Sequence, residues 1–239
     1  MIAVITCQCR IGSDTAVREI ALSGAAFRRI LQNRGIDLTR GGASLAEAAR
    51  QRQIPLAPLL EELQAVPASV PGNCRLPDWR HTGTRELVDF LQTKHHPYLK
   101  SEPYFLDTLF RKVLERNRGE WSRRFRLYRD WRDLSAALAT HCELEERELF
   151  PRLAAGESGW TAARTAADLT GEHRYFLEQM DRLRRRSDML ENSRNDPALA
   201  LLTESLTAYL DACEEHFFWE DCLLYPRLAD VILRRGLPA

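Results

Sequence analysis

Apolar positions recur at helical spacing along most of this chain. Over residues 14–34 they fall on one stripe, which predicts a single amphipathic helix that ends at Gly35. Ser44 and Glu47 predict a capping box for the next helix, and Pro55 is well placed to open another. The alternation of apolar and polar residues that marks a strand is absent from the sequence. The pattern therefore predicts an all-α protein.

A segment rich in proline divides the predicted helices into two groups. Residues 65–83 include AVPASVPGNCRLPD, lack periodicity and are predicted to be a linker. They separate a small helical domain over residues 1–64 from a larger one over residues 84–239. The larger domain has four long helical segments, predicted at 84–118, 122–150, 160–190 and 197–227. Four long helices with short connections predict a four-helix bundle, whose first helix is kinked or broken at Pro97 and Pro103.

Composition and charge narrow the possible functions. The chain is 44% hydrophobic and 28% charged, with 34 basic and 34 acidic side chains, so no net field favours nucleic acid or an acidic membrane. Its apolar runs fall short of the roughly 20 residues that span a bilayer. The N-terminal residues lack the basic region of a signal peptide, and six scattered cysteines do not form a disulfide scaffold. We expect a cytoplasmic protein with neither a nucleic-acid nor a membrane partner.

One motif occurs twice in the larger domain. The stretch HCELEERELFPRLA begins at residue 141, and HFFWEDCLLYPRLA begins at residue 216. Each copy pairs a histidine with a glutamate four residues later, on the same helix face. A single pair of this kind usually forms a hydrogen bond at the surface, but two copies on two helices predict a metal site inside the bundle. The proline in each copy is predicted to end its helix.

The other two bundle helices also carry histidines. His173 lies in the third segment, and the adjacent His95 and His96 lie in the first. Imidazole with carboxylate suits iron, manganese or zinc, and bridging carboxylates favour two metal ions. Four histidines, two bridging glutamates and a bridging oxygen fill about ten of about twelve octahedral positions, so a small molecule such as dioxygen or nitric oxide can bind.

Three cysteines lie close to these residues in the sequence. Cys213 is one turn before a motif histidine and either lines the site or packs in the core. Cys142 and Cys222 are predicted to point elsewhere on their helices, and no role is assigned to them.

The segments TKHHPYLKSEP, HCELEERELFPRL, GEHRYF and HFFWEDCLLYPRL resemble, in order, the four ligand-bearing helices of the hemerythrin-like di-iron family. The resemblance implies two iron ions with a bridging oxo or hydroxo group, and Glu145 and Glu220 as bridging carboxylates. The distance from His95 to Pro103 matches the family's spacing, so the resemblance implies His95 rather than His96 as the ligand of the first helix. The implied iron ligands are His95, His141, Glu145, His173, His216 and Glu220.

The N-terminal stretch RGIDLTRGGASLAEAARQRQI resembles the small domain of the iron–sulfur cluster repair subgroup of that family, which has relatives encoded beside denitrification genes. This implies a role in nitrosative or oxidative stress, with nitric oxide, damaged iron–sulfur proteins or an electron donor as partners. Thr39 and Arg40 replace the subgroup's cysteine pair, and Asn117 replaces a further histidine. Cys7 and Cys9 could substitute for that pair. The missing pair favours scavenging or sensing of nitric oxide over repair.

Besides slow peroxide or ferroxidase chemistry, which any di-iron site can show, two other functions stay open from the sequence. The first is reversible dioxygen binding. The second is an iron- or oxygen-responsive sensor in which metal orders the bundle and the small domain reports that state to a partner.

Overall fold

The computed structural model describes residues 11–38, 42–66, 82–116, 121–157, 159–190 and 196–228. The chain divides into two compact units, residues 1–76 and 77–239. The described residues are helical, and their β-type pairing is limited to an isolated bridge between Ala16 and Ser44. The predicted all-α class is therefore confirmed. Thr39, Arg40, Asn117, Cys7 and Cys9 lie outside the described residues.

The first unit contains short helices around a small apolar core. The single helix predicted over residues 14–34 is instead two helices, because Gly24 adopts a φ of 143° between them. The helices of this unit are α1 (Val17–Leu22), α2 (Ala25–Asn33), α3 (Leu45–Gln51) and α4 (Leu56–Gln64).

Two predicted helix boundaries in this unit are confirmed. Gly35 ends α2 in the left-handed conformation, with its N–H bonded to the carbonyl of Gln32. Ser44 and Glu47 form the capping box at the start of α3, with reciprocal bonds of 3.0 and 3.2 Å.

The second unit is a bundle of four helical segments. Its helices are α5 (Thr84–Phe90), α6 (His96–Arg116), α7 (Trp121–Leu144), α8 (Phe150–Ala154), α9 (Trp160–Asp188) and α10 (Pro197–Trp219). The first segment is α5 with α6, the second is α7 with α8, and the third and fourth are α9 and α10. Around the bundle, α6 packs on α7, α7 on α9, α9 on α10 and α10 on α6.

The bundle interior is aromatic and aliphatic. Trp131 of α7 is fully buried, stacks on Phe110 and meets Tyr209 edge to face. The cluster of buried residues extends through all four segments to Cys142 and Phe217. The core therefore holds the four helices together on one side of the residues that carry the predicted site. Among the described helices, none has the length and apolarity needed to cross a membrane.

Three π turns interrupt the bundle helices, at Leu91–His95, Glu145–Leu149 and Glu220–Leu224. In each, the residue after the turn bonds back five positions; the N–H of Tyr225, for example, donates to the carbonyl of Glu220 at 2.8 Å. A proline follows immediately in all three cases, at 97, 151 and 226. A proline ring clashes with the carbonyl four residues earlier, and the wider turn relieves that clash.

Pro151 and Pro226 consequently do not have the predicted effect. The predicted helix ends at Pro151 and Pro226 are wrong, because helical structure continues through both residues after the π turn. The first segment likewise runs unbroken through Pro103, which lies inside α6.

Candidate metal centre

Six polar side chains meet inside the bundle, between the aromatic core and the π turns. All six are between 0 and 1% exposed, although histidine and glutamate are rarely buried so completely. We call this group the histidine–glutamate cluster; its members are His96, His141, Glu145, His173, His216 and Glu220. The structure thus brings together five of the six residues predicted as ligands, with His96 beside them.

Glu145 lies between two sets of histidines. Its Oε1 is 3.5 Å from Nε2 of His141, while its Oε2 is 3.5 Å from Nε2 of His96 and 3.7 Å from Nε2 of His216. The two oxygens of one carboxylate therefore face different imidazoles. This is the arrangement that a carboxylate bridging two ions requires.

The remaining ligand atoms complete the two sets. Oε2 of Glu220 is 3.3 Å from Nε2 of His216 and 3.4 Å from Nε2 of His173. Nε2 of His141 and Nε2 of His173 are 2.9 Å apart. With metal–nitrogen bonds of about 2.1 Å, nitrogens in adjacent octahedral positions lie about 3.0 Å apart. This distance fits two nitrogens that point at the same ion.

His95 does not join the cluster. Its ring is half-buried beside Phe90 and Trp219, and its centre is 5.9 Å from that of His216. The π turn explains the difference from the prediction. Leu91 is buried, and the next inward position along an α-helix would be residue 95, but the extra residue in the turn moves that position to His96.

Three carboxylates outside the cluster each orient one of its histidine rings. Each accepts a hydrogen bond from Nδ1 of a ring on another helical segment. The Nε2 atom of that ring can then bind metal. Metal-binding histidines are commonly oriented by a hydrogen bond of this kind. We call these the outer carboxylates: Glu146 with His96 at 2.7 Å, Glu172 with His141 at 2.8 Å, and Asp221 with His173 at 2.9 Å.

The outer carboxylates were missed from the sequence, although a signal was present. Glu146 and Asp221 occupy the same position of the two motif copies, directly after the motif glutamate. Glu146 also accepts from Nζ of Lys100, and Asp221 from Oγ1 of Thr170. An acidic residue at the sixth position of both copies could have indicated a hydrogen bond to a histidine on a neighbouring helix.

Burial and charge shift the pKa values of the cluster strongly. Burial alone would raise the pKa of Glu145, but the histidine rings around it hold that pKa well below its ordinary value. Burial, together with the charge of Glu145, raises the pKa of Glu220. Burial lowers the pKa of His216 to about 3. The two carboxylates therefore repel each other when both are ionised in this buried volume, and bound cations would offset that repulsion.

The unsatisfied atoms of the cluster test whether a metal fits. Within the described residues, six atoms of the cluster have no hydrogen-bond partner. They are both oxygens of Glu220, both ring nitrogens of His216, Nε2 of His96 and Oε2 of Glu145. Buried polar atoms without partners are rare and costly. These atoms all belong to types that ligate iron, manganese or zinc, so the donor set fits a metal.

The two motif copies differ at one contact. The hydroxyl of Tyr225 donates to Oε1 of Glu145 at 2.5 Å. The equivalent residue of the first copy is Phe150, which has no hydroxyl and packs its ring against His96. Among the described residues, a hydroxyl therefore donates a hydrogen bond to Glu145, while the oxygens of Glu220 have no hydrogen-bond partner.

Cys142 also differs from the prediction. It was expected to point away, but its Sγ lies within 4.8 Å of ligand atoms of His96, Glu145 and His216. Residues 142 and 145 are three apart and share a helix face, a relation that the pairing of positions 141 and 145 obscured. Cys213 is also fully buried, where burial raises the pKa of its thiol.

The fold and the cluster together define a helical-bundle protein with a buried histidine–carboxylate metal centre. Residues 164–237 match the family model of the hemerythrin HHE cation binding domain. None of the curated proteins matches the chain. The matched segment contains His173, His216 and Glu220, and the match implies iron. The similarity and the buried cluster indicate a non-haem iron-binding protein.

Proposed function

We propose that this chain is a cytoplasmic di-iron protein that binds nitric oxide under nitrosative or oxidative stress. The observation that carries the proposal is the position of Glu145, whose two oxygens face separate groups of histidines. One ion would lie between His141 and His173, and the other between His96 and His216. Glu145 and Glu220 would bridge them.

The surroundings of the cluster favour a small, uncharged ligand. The six polar side chains are almost completely buried, so a large substrate could not reach them without opening the bundle. Phe217 stacks on His173, and Phe150 lies against His96. Aromatic walls give anions and polar molecules no hydrogen bonds, whereas a diatomic molecule needs none. The six ligands with a bridging oxygen would also leave about two of about twelve metal positions for such a molecule.

The function rests on ferrous iron in this site binding a diatomic molecule. The chain's own residues would hold the ions, exclude bulk water and keep the imidazoles oriented. Assistance in repairing iron–sulfur centres, implied by the sequence resemblance, is the less favoured form of the proposal, because Thr39 and Arg40 stand where a cysteine pair is expected.

The test is anaerobic iron loading, followed by metal analysis and absorption spectra before and after nitric oxide addition. We expect about two irons per chain and a changed spectrum with nitric oxide. Glu145→Gln should lower the iron content to one or fewer. Glu148→Gln is the matched control, since Glu148 lies on the same π turn but its side chain is 42% exposed. A reconstituted wild-type protein with less than half an iron per chain would contradict the di-iron proposal, and loaded protein that ignores nitric oxide would contradict the ligand.

A further inference from the structure

The thiol of Cys142 lies against one half of the cluster. Its Sγ, a ring nitrogen each of His96 and His216, and an oxygen of Glu145 all lie within 4.8 Å of one another. Cys142 is 1% exposed, and no disulfide involves it. The group shares Glu145 and His216 with a second group, in which His141 and Glu220 take the place of His96 and Cys142.

Helix geometry explains how α7 serves both halves. His141 and Cys142 are neighbours, about 100° apart around the helix, so one can face each metal position. Glu145 is four residues from the first and three from the second, on the face between them. His141 and Cys142 at the end of α7 and Glu145 at the start of the π turn can therefore ligate two ions.

The atoms around this thiol independently point to a ligand. Nε2 of His96, Nε2 of His216 and Oε2 of Glu145 are buried and have no hydrogen-bond partner in the described part of the chain. Sulfur and nitrogen on opposite sides of one ion, with bonds of about 2.3 and 2.1 Å, lie about 4.4 Å apart. The four ligand atoms of the present group lie within 4.8 Å of one another, so their separations are compatible with a shared ion. One ion can therefore contact all four side chains after a small adjustment.

We propose that Cys142 is a thiolate ligand of the ion bound by His96, His216 and Glu145. The inference rests on the proposed metal centre and adds a ligand to it. One metal–sulfur bond forms and the thiol proton is released to water, without electron transfer. The two metal positions then differ chemically: one has a soft sulfur ligand and the other only nitrogen and oxygen. With about eleven of about twelve positions filled, about one is left for a diatomic molecule.

The test is a titration of the metal-free protein with Co²⁺, followed by absorption spectroscopy and metal analysis. Thiolate bound to Co²⁺ gives an intense near-ultraviolet charge-transfer band that nitrogen and oxygen ligands do not. We expect this band in the wild type and its loss in Cys142→Ser. Cys222→Ser is the matched control, because Cys222 is also buried and follows a cluster glutamate, yet it is not in the group. A Cys7→Ser/Cys9→Ser variant should retain the band, which excludes metal bound at that pair.

The outcomes separate this inference from the metal centre itself. Cobalt bound at two per chain without the band, or a band that persists in Cys142→Ser, overturns the role of Cys142 and leaves the centre intact. Wild-type protein that binds no cobalt overturns both. If Cys142→Ser does not fold, X-ray absorption of the cobalt-loaded wild type decides: a sulfur neighbour at about 2.3 Å supports the inference, and a shell of nitrogen and oxygen alone contradicts it.

Discussion

The adjacent histidines of α6 and its preceding π turn provide a sharp test of the site. His96 is buried, with Nε2 3.5 Å from Oε2 of Glu145, whereas the half-buried His95 faces Phe90 and Trp219. Replacing each in turn by glutamine removes one imidazole from almost the same place in the chain. Only one replacement should affect metal binding.

The expected magnitude follows from what each ring contacts. Changes to groups that merely support a ligand lower metal affinity by about 10- to 100-fold. Loss of His96 removes a proposed ligand itself, so we expect at least about a 100-fold loss, or about 2.7 kcal/mol. His95→Gln should change affinity by less than about threefold, or about 0.7 kcal/mol.

The assay is competition for Co²⁺ or anaerobic Fe²⁺ against a chromophoric chelator, with circular dichroism to verify that both variants fold. The result that would refute the reasoning is the reverse order of effects. If His95→Gln loses affinity and His96→Gln retains it, the register imposed by the π turn is wrong, and so is the assignment of His96.

Four further outcomes are expected. Asp221→Ala should lower metal affinity by about 10- to 100-fold in calorimetric titrations, since the ring that it holds loses its anchor; Asp168→Ala, an exposed change on α9, should not. Tyr225→Phe should destabilise the metal-free protein by about 1–3 kcal/mol, because a buried carboxylate loses a hydrogen bond; an unchanged urea midpoint would contradict this. Metal affinity should rise with pH, because the pKa values of Glu220 and His141 are raised and protons compete with the metal when the pH is below those values. The rise should be up to about tenfold per pH unit for each proton displaced. Equal dissociation constants at pH 5.5 and 7.5 would contradict this expectation. Chelation should lower stability in thermal melts, by about 2.7 kcal/mol relative to protein with metal at 100 times its dissociation constant, and identical melting curves would show that the metal does not bind the folded state preferentially.

The bundle helices and most of the cluster could be predicted from the sequence because they depend on local periodicity. Apolar spacing alone located four segments close to their observed bounds, and the repeated motif identified His141, Glu145, His216 and Glu220 as neighbours. These inferences require only that the chain is helical and that residues four apart share a face.

What could not be predicted depends on where the helices depart from α geometry and on contacts between helices. The inward position moved from residue 95 to His96 because a π turn adds one residue before Pro97, a change that α-helical counting does not include. Cys142 was missed because two of its neighbours, His96 and His216, lie on other segments, and the pairing of positions 141 and 145 obscured its relation to Glu145. Gly24 broke the first predicted helix although the apolar stripe continues across it.

The outer carboxylates also constrain how metal could leave. Glu146 ties its segment to His96 of α6, Glu172 ties α9 to His141 of α7, and the third, Asp221, ties the last segment to α9. Turning any of these rings away from an ion means breaking a charge-assisted hydrogen bond between two helical segments. Release of a bound ion should therefore be slowed by the need to break these hydrogen bonds. Such a centre is suited to retaining its iron through many encounters with a small molecule, and poorly suited to donating iron to another protein.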